Sequence, residues 1–334
     1  MLFSRFPRVR LAHLPTPLEH LPRLSEYLGG PKIYVKRDDC TGLATGGNKT
    51  RKLEFSMGEA VQQGADTIIT VGAVQSNHVR QTAAAAAKLG MNCEVLLEHR
   101  IEKASDAYLN SGNVLLDRMF GANLHEYPGG TDFEAEMNGM ADSLREQGKI
   151  PYIVPGGASN KVGALGYANC ALELINQATE DGIVIDHIIT ATGSAGTQAG
   201  LIAGLKALNS NVPLLGICVS IDRQAQEEKV FALAVETAEH LGAPGAVERD
   251  DVVANSDYVG PGYGRRTDEM NEAVMLLARL EGLLFDPVYS GKALAGMIDL
   301  VRKGEFAADD NIVFLHTGGS AALFAYADQL EFEV

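Results

Sequence analysis

The stretch "HIITATGSAGTQAG", His187 to Gly200, sets an apolar, β-branched run directly before a turn of small and hydroxyl residues that opens a helix. A run that is apolar at consecutive rather than alternate positions marks a strand buried on both faces. The same unit recurs along the chain. Strands are predicted for "TIITVG" (67–72), "CEVLLE" (93–98), "YIVPGG" (152–157), "PLLGICV" (213–219), "GLLFDPV" (282–288) and "NIVFLHTGG" (311–319). Helical spacing fills the intervals. In "TRKLEFSMGEAVQQG" (50–64), Leu53, Met57, Ala60 and Val61 share one face, and "TDEMNEAVMLLARLEG" (267–282) opens on a Thr cap and stops at Gly282. Strands alternating with helices predict the α/β class, with parallel twisted sheets and helices on both faces. In such sheets, ligands bind beyond the C-terminal strand ends at a switch point, so chemistry is sought in the loops found there.

The chain has 334 residues, 46% of them hydrophobic, enough for one large core or two smaller ones. A formal charge of -15 and a pI near 5.0 argue against nucleic acid or an anionic membrane as partner. Prolines 7, 15 and 17 interrupt the first apolar runs, which fit neither a signal peptide nor a membrane span. A soluble, cytoplasmic protein is expected. Cys40, Cys93, Cys170 and Cys218 lie far apart without metal-ligand spacing, so they are read as reduced core thiols, and no metal is expected. No linker divides the chain. A weak boundary falls in "PGGASNKVG" (155–163), ahead of the helix "ALGYANCALELI", and two closely packed α/β domains fit better than separate beads.

Four strand-end loops carry polar residues. Gly193, Ser194, Ala195, Gly196 and Thr197 form a small-residue turn at a helix start, which can present backbone N–H groups to a phosphate. They lack the full G-x-G-x-x-G spacing, and tight strand–helix packing is the plain alternative. Gln75, Ser76, Asn77 and His78 stand in a row before an alanine-rich helix. Capping explains one of them, so Ser76 and Asn77 are read as functional; for His78 a structural role is equally open. "FDPVYSGKAL" places Tyr289 and Ser290 at a helix entrance, and "FLHTGGSAALF" does the same for Thr317.

"TGLATGGNKTRKLEF" (41–55) adds a lysine. Gly42 to Thr50 resembles a P-loop, but Asn48 intervenes between glycine and Lys49, and the match fails. A lysine amine opposite a phosphate cup, without a carboxylate pair, suits a carbonyl cofactor that carries its own phosphate, and pyridoxal phosphate meets that description. Lys36 in "IYVKRDD" competes for the role, but Arg37, Asp38 and Asp39 offer ion-pair partners there and favour a structural Lys36.

In order and spacing, "GGNKTRKLE", "QSNHVRQTAA", "TGSAGTQAG", "GYG", "DPVYSGK" and "HTGG" resemble the pyridoxal-phosphate enzymes that include 1-aminocyclopropane-1-carboxylate deaminase, D-cysteine desulfhydrase and L-cysteate sulfo-lyase. The resemblance spans nearly the whole chain. It implies a tryptophan-synthase β-like fold (fold type II), with a large domain over 1–47 and 164–334, a smaller inserted domain over 48–163, and the cofactor between them. It further implies Lys49 as the Schiff-base lysine, Lys52 as a phosphate contact, Asn77 as partner of the ring oxygen, and Gly193 to Thr197 as the phosphate cup. Ser76 with Gln75 would hold the substrate carboxylate, and Tyr263 and Tyr289 would flank the reacting carbon. A homodimer or higher homo-oligomer acting on a small amino acid is expected.

One departure narrows the chemistry. The deaminases have glutamate after the tyrosine of "DPVY", and this chain has Ser290. A hydroxyl from Ser290 or Thr317 leaves the pyridine nitrogen less charged, which an α,β-elimination tolerates better than a cyclopropane ring-opening. Lys49, or a tyrosine, would take the α-proton. Arg265 and Arg266 in "GYGRRTDEM" favour an anionic β-substituent, with a surface pair balancing Asp268 and Glu269 as the plain alternative; L-cysteate is the expected substrate, with D-cysteine as the alternative. A non-catalytic binder of a phosphorylated ligand is the competing class.

Overall fold

The computed structural model describes residues 2–101 and 104–332. Its strands are β1 (Leu18–His20), β2 (Lys32–Arg37), β3 (Thr67–Ala73), β4 (Asn92–His99), β5 (Asn123–Pro128), β6 (Pro151–Val154), β7 (His187–Thr192), β8 (Leu214–Cys218), β9 (Val253–Asn255) and β10 (Asn311–His316). They form a six-stranded sheet in the order β1-β2-β10-β7-β8-β9 and a four-stranded sheet in the order β5-β4-β3-β6. Every pairing is parallel except that of β1 with β2.

The consecutive apolar residues of the strands explain why helices cover both faces. In β7, Ile188 packs with Val313, Leu315 and the helices Lys161–Glu180 and Gly196–Ala207, whereas Ile189 packs with Ile312, Phe314 and the helices Asp268–Glu281 and Ser290–Arg302. The smaller sheet repeats the arrangement. Ile68, Val95 and Leu97 face the helices Asn48–Gln62 and Asn77–Leu89, and Ile69 and Leu96 face Met137 and Ala141. Each such aliphatic side chain contributes roughly 1.5–3 kcal/mol on burial.

Both sheets reverse direction once. In the larger, β7 leads to β8 and β9 on one side while β10 returns on the other; in the smaller, β3 leads to β4 and β5 while β6 returns on the other. The loops after β7, β10, β3 and β6 therefore flank the two switch points, and they converge.

The sequence reading needs four corrections here. Residues 282–288 form no strand. Leu284 gives its carbonyl to the His316 ring at 3.1 Å, Pro287 has no N–H to offer, and β10 is already paired with β2 and β7. Val61 is 47% exposed, although Leu53, Met57 and Ala60 are fully buried as expected. Cys40 is exposed, not a core thiol. Lys36 is structural, but its partners are Glu173 at 2.5 Å and Gln177 at 2.6 Å on a distant helix, because Asp38 is taken by Arg51 and Asp39 by Arg37. Four strands also went unrecognised, among them β5 ("NLHEYP"), whose charged and polar side chains hide any period.

Candidate active site

Asn48, Lys49, Ser76, Asn77, Tyr263, Tyr289 and Thr317 line one cavity of about 380 Å³ together with Gly193, Ser194, Ala195 and Thr197. It lies between the two sheets, at the loops that flank their switch points.

Lys49 begins the first turn of the helix Asn48–Gln62. Two glycines bring the chain there: a Cβ on Gly46 would fall 1.9 Å from Asp39 O, and one on Gly47 would fall 2.6 Å from Gln81 Nε2. Both have positive φ, 76° and 132°. Arg51, two residues on and on the other side of the same helix, is anchored by Asp38 at 2.8 Å and Glu173 at 2.8 Å, which fixes the helix against its neighbours. Lys49 Nζ donates to Asn48 Oδ1 at 3.0 Å and lies 5.9 Å from the centroid of the Tyr289 ring. Burial, opposed by the charge of Asp286 and assisted by Arg80, brings its amine down to about 8.

The glycine turn faces this lysine. Ala195 holds φ 75°, a conformation that costs a non-glycine residue and directs the chain into the start of the helix Gly196–Ala207. Gly196 N donates to Ser159 Oγ at 3.2 Å, and Ser159 donates to Ser194 at 2.8 Å. Lys52 sits beneath the turn, fully buried, and its Nζ donates to Gly157 O at 3.1 Å. Among the described residues Lys52 has no carboxylate partner, and burial pushes its amine well below the usual lysine range. A Cβ on Gly196 would meet Lys52 Nζ at 2.9 Å.

Asn77 opens the helix Asn77–Leu89, which Ser76 caps by accepting from Val79 N at 3.2 Å. Asn77 Oδ1 is taken by Arg80 at 3.1 Å and Asn113 at 2.9 Å, so its NH2 is the end left for the cavity. Tyr263 and Tyr289 join hydroxyls at 2.7 Å, and Asp286 holds the Tyr289 N–H.

Five predicted contacts are absent from the lining: Lys52 and Gly196 sit at the back of the glycine turn, and Gln75, Ser290 and Arg265 are engaged elsewhere or exposed. Gln75 spends its amide on Tyr108 O at 2.6 Å, Ser111 O at 2.9 Å and Asn113 N at 2.9 Å, outside the cavity lining. Ser290 donates to Asp286 at 2.7 Å and is likewise outside the lining, leaving Thr317 as the hydroxyl that reaches the cavity. Arg265 is exposed and off the cavity, and Arg266 pairs with Asp268 and Glu331, each at 2.9 Å. His78 does line the cavity, but it bonds Thr70 at 2.8 Å, and burial keeps its ring neutral. The cation at the cavity is instead Arg100, whose guanidinium lies 5.0 Å from the Tyr263 ring centroid, with Lys229 nearby.

The pyridoxal-phosphate dependent enzyme family matches residues 9–318. The chain belongs to that family. The chain is similar to D-cysteine desulfhydrase of Salmonella typhi, at 49% identity over 97% of both chains. It is 48% identical to D-cysteine desulfhydrase of Klebsiella pneumoniae subsp. pneumoniae over 98% of both. A solved structure described as an ACC deaminase homologue superposes with a TM-score of 0.87 at 39% identity, covering 98% of this chain and 96% of the other. The fold is thus the two-sheet α/β fold of pyridoxal-phosphate enzymes, and the chain is a pyridoxal-phosphate-dependent lyase.

The residues present fit that cofactor. A buried lysine without a carboxylate beneath a helix N-terminus, in a cradle that a single Cβ at Gly196 would fill, suits a phosphate dianion. Of these groups, sequence reasoning missed Arg51, Arg80, Arg100, Asn113, Ser159, Lys229 and Asp286. Arg80 alone had a readable signal, because three positions after Asn77 it must share a helix face with it.

Proposed function

We propose that this enzyme is a D-cysteine desulfhydrase, releasing sulfide from D-cysteine by α,β-elimination to give pyruvate and ammonia with the uptake of one water. The observation that carries the choice is the near-full-length similarity to D-cysteine desulfhydrases at 49% identity. The preference for L-cysteate rested on Arg265 and Arg266, and both are turned away from the cavity.

Pyridoxal phosphate, when bound, supplies an aldehyde for an amine and a ring that takes up electrons from the α-carbon. Lys49 would hold the aldehyde carbon. Once substrate has freed its amine, Nζ is poised near neutrality to take the α-proton. Gly193 to Thr197, with Lys52 behind them, would hold the phosphate, Asn77 NH2 the ring oxygen, and Thr317 the ring nitrogen. Ser76 retains its hydroxyl proton for the substrate carboxylate, since its oxygen only accepts in the cap. The Tyr263–Tyr289 pair would close over the β-carbon, with Arg100 favouring negative charge on the departing sulfur. Gln75 and His78 are read as supports, and Arg265 as a surface residue.

In this reading the four-stranded unit, over about residues 48–163, is the inserted domain that carries Lys49. The family resemblance supports a cytoplasmic homodimer or higher homo-oligomer. Among the described residues, no helix is long and apolar enough to cross a membrane.

Pyruvate release measured in parallel with D-cysteine and L-cysteate tests the choice of substrate. Turnover of D-cysteine with little from L-cysteate is expected, and the reverse ranking would overturn it.

A further inference from the structure

Arg80 is fully buried, and among the described residues none of its hydrogen bonds reaches a carboxylate. Its donors go to three separate segments. Nη1 reaches Asn77 Oδ1 at 3.1 Å and Asn113 Oδ1 at 2.7 Å, and Nη2 reaches Gly46 O at 2.7 Å. Asn113 Nδ2 meets the same Asn77 oxygen at 2.9 Å and also Gln75 O at 3.0 Å. Two carboxylates act on Arg80 by charge without a hydrogen bond to it, Asp117 and Asp286; Asp117 is itself fully buried with no hydrogen-bond partner among the described residues, and burial pushes it up to about 8.

Burying a guanidinium opposite neutral acceptors is expensive, and an apolar side chain would fill the same space at less cost. A planar fork gives what an apolar residue cannot, namely fixed angles between the groups it joins. Asn77 has two possible amide orientations, and with two donors on its oxygen only the one with NH2 toward the cavity is satisfied. Gly46 lies three residues before Lys49, in a turn of φ 76° whose carbonyl accepts from Arg80 at 2.7 Å.

We propose that Arg80 is a positioning residue for the cofactor, setting through one guanidinium both the face that Asn77 presents and the turn from which Lys49 departs. The proposal rests on the reading that Asn77 meets the cofactor's ring oxygen and Lys49 its aldehyde. Lysine cannot replace the arginine, because one ammonium cannot span the Asn77, Asn113 and Gly46 oxygens in these directions.

The test is a double-mutant cycle of Arg80→Lys and Asn77→Ala in the full-length chain. Three quantities are read: the thermal midpoint, the dissociation constant for pyridoxal phosphate added to cofactor-stripped protein, and the absorption maximum of the bound cofactor. Each single variant should weaken binding by about tenfold or more and displace the absorption maximum. The double variant should lose clearly less than the product of the two single losses, because both act on one contact. Losses that multiply, or an Arg80→Lys variant with a lower thermal midpoint but wild-type affinity and spectrum, would assign Arg80 to the fold alone and overturn the proposal. An Asn77→Ala variant with wild-type affinity and spectrum would overturn it at its premise. Should Arg80→Lys fail to fold, Asn113→Ala takes its place in the cycle, with the same expectation and the same contrary result. None of these readouts involves D-cysteine, so failure of the substrate reading leaves the test intact.

Discussion

The hydroxyls of Tyr263 and Tyr289 share one hydrogen bond of 2.7 Å, so the pair has a single proton left to give into the cavity. Burial raises both phenols above their ordinary range, and each remains a neutral donor through the physiological range. Tyr289→Phe is expected to lower kcat by about a hundredfold or more while leaving cofactor affinity within about twofold. Steady-state pyruvate release alongside a cofactor titration checks both halves. A matching loss of affinity would place Tyr289 on the cofactor instead of the substrate.

Lys52 should trade stability for binding. Its amine is fully buried opposite neutral oxygens, where burial disfavours the charged form, a cost to the cofactor-free fold that a bound phosphate offsets. Lys52→Met, close in length, is expected to raise the melting midpoint of cofactor-free protein and to weaken pyridoxal phosphate binding by about tenfold or more. Calorimetry with and without cofactor separates the two effects. A variant that melts lower in both states would contradict this account.

The pH dependence of kcat follows from Lys49. Its freed amine must be neutral to accept the α-proton, and burial lowers it to about 8. Activity should therefore rise from pH 6 and level off above about 8, roughly tenfold per pH unit on the acid side. A kcat profile flat between pH 6 and 8 would mean that another group takes the proton.

Asp117 makes stability fall as pH rises. Its folded value is raised from 3.8 to about 8, so between these limits the folded chain retains a proton that the unfolded chain has lost. The folded state binds more protons, the slope of stability with pH is negative, and the contribution present below pH 4 is gone once pH passes 8. Asp117→Asn removes that slope. Denaturant midpoints at pH 5 and pH 8.5 should show the variant gaining on the parent chain by a few kcal/mol, on the order of 1.4 per unit crossed.

Much of the architecture could be read from the chain because its central strands are buried on both faces and write themselves as apolar runs. β7 and β10 are examples, and Thr267 and Gly282 do cap and end the helix Asp268–Glu281 as expected. Edge strands such as β5 and β9 lack that imprint, since a half-solvated strand of three to six residues need not be apolar. Lys49, the cavity's tyrosines and its glycine turn were legible as polar residues in loops, whereas Lys229 was not. Of the arginines, only Arg80, three positions after Asn77, carried a signal. Arg265 attracted attention by standing next to Tyr263 in sequence, yet it points to solvent, whereas Arg100 reaches that ring from the end of β4, 163 residues earlier. Adjacency along the chain fixes adjacency in space only within one element, and this choice lay between two.

The chemistry depends on which lysine joins the cofactor. The holoenzyme reduced with borohydride, digested and mapped by mass should carry the pyridoxyl group on the peptide containing Lys49, with the visible absorption band lost. The same mass on Lys36, Lys52 or Lys292 would contradict the assignment of Lys49 and every role derived from it.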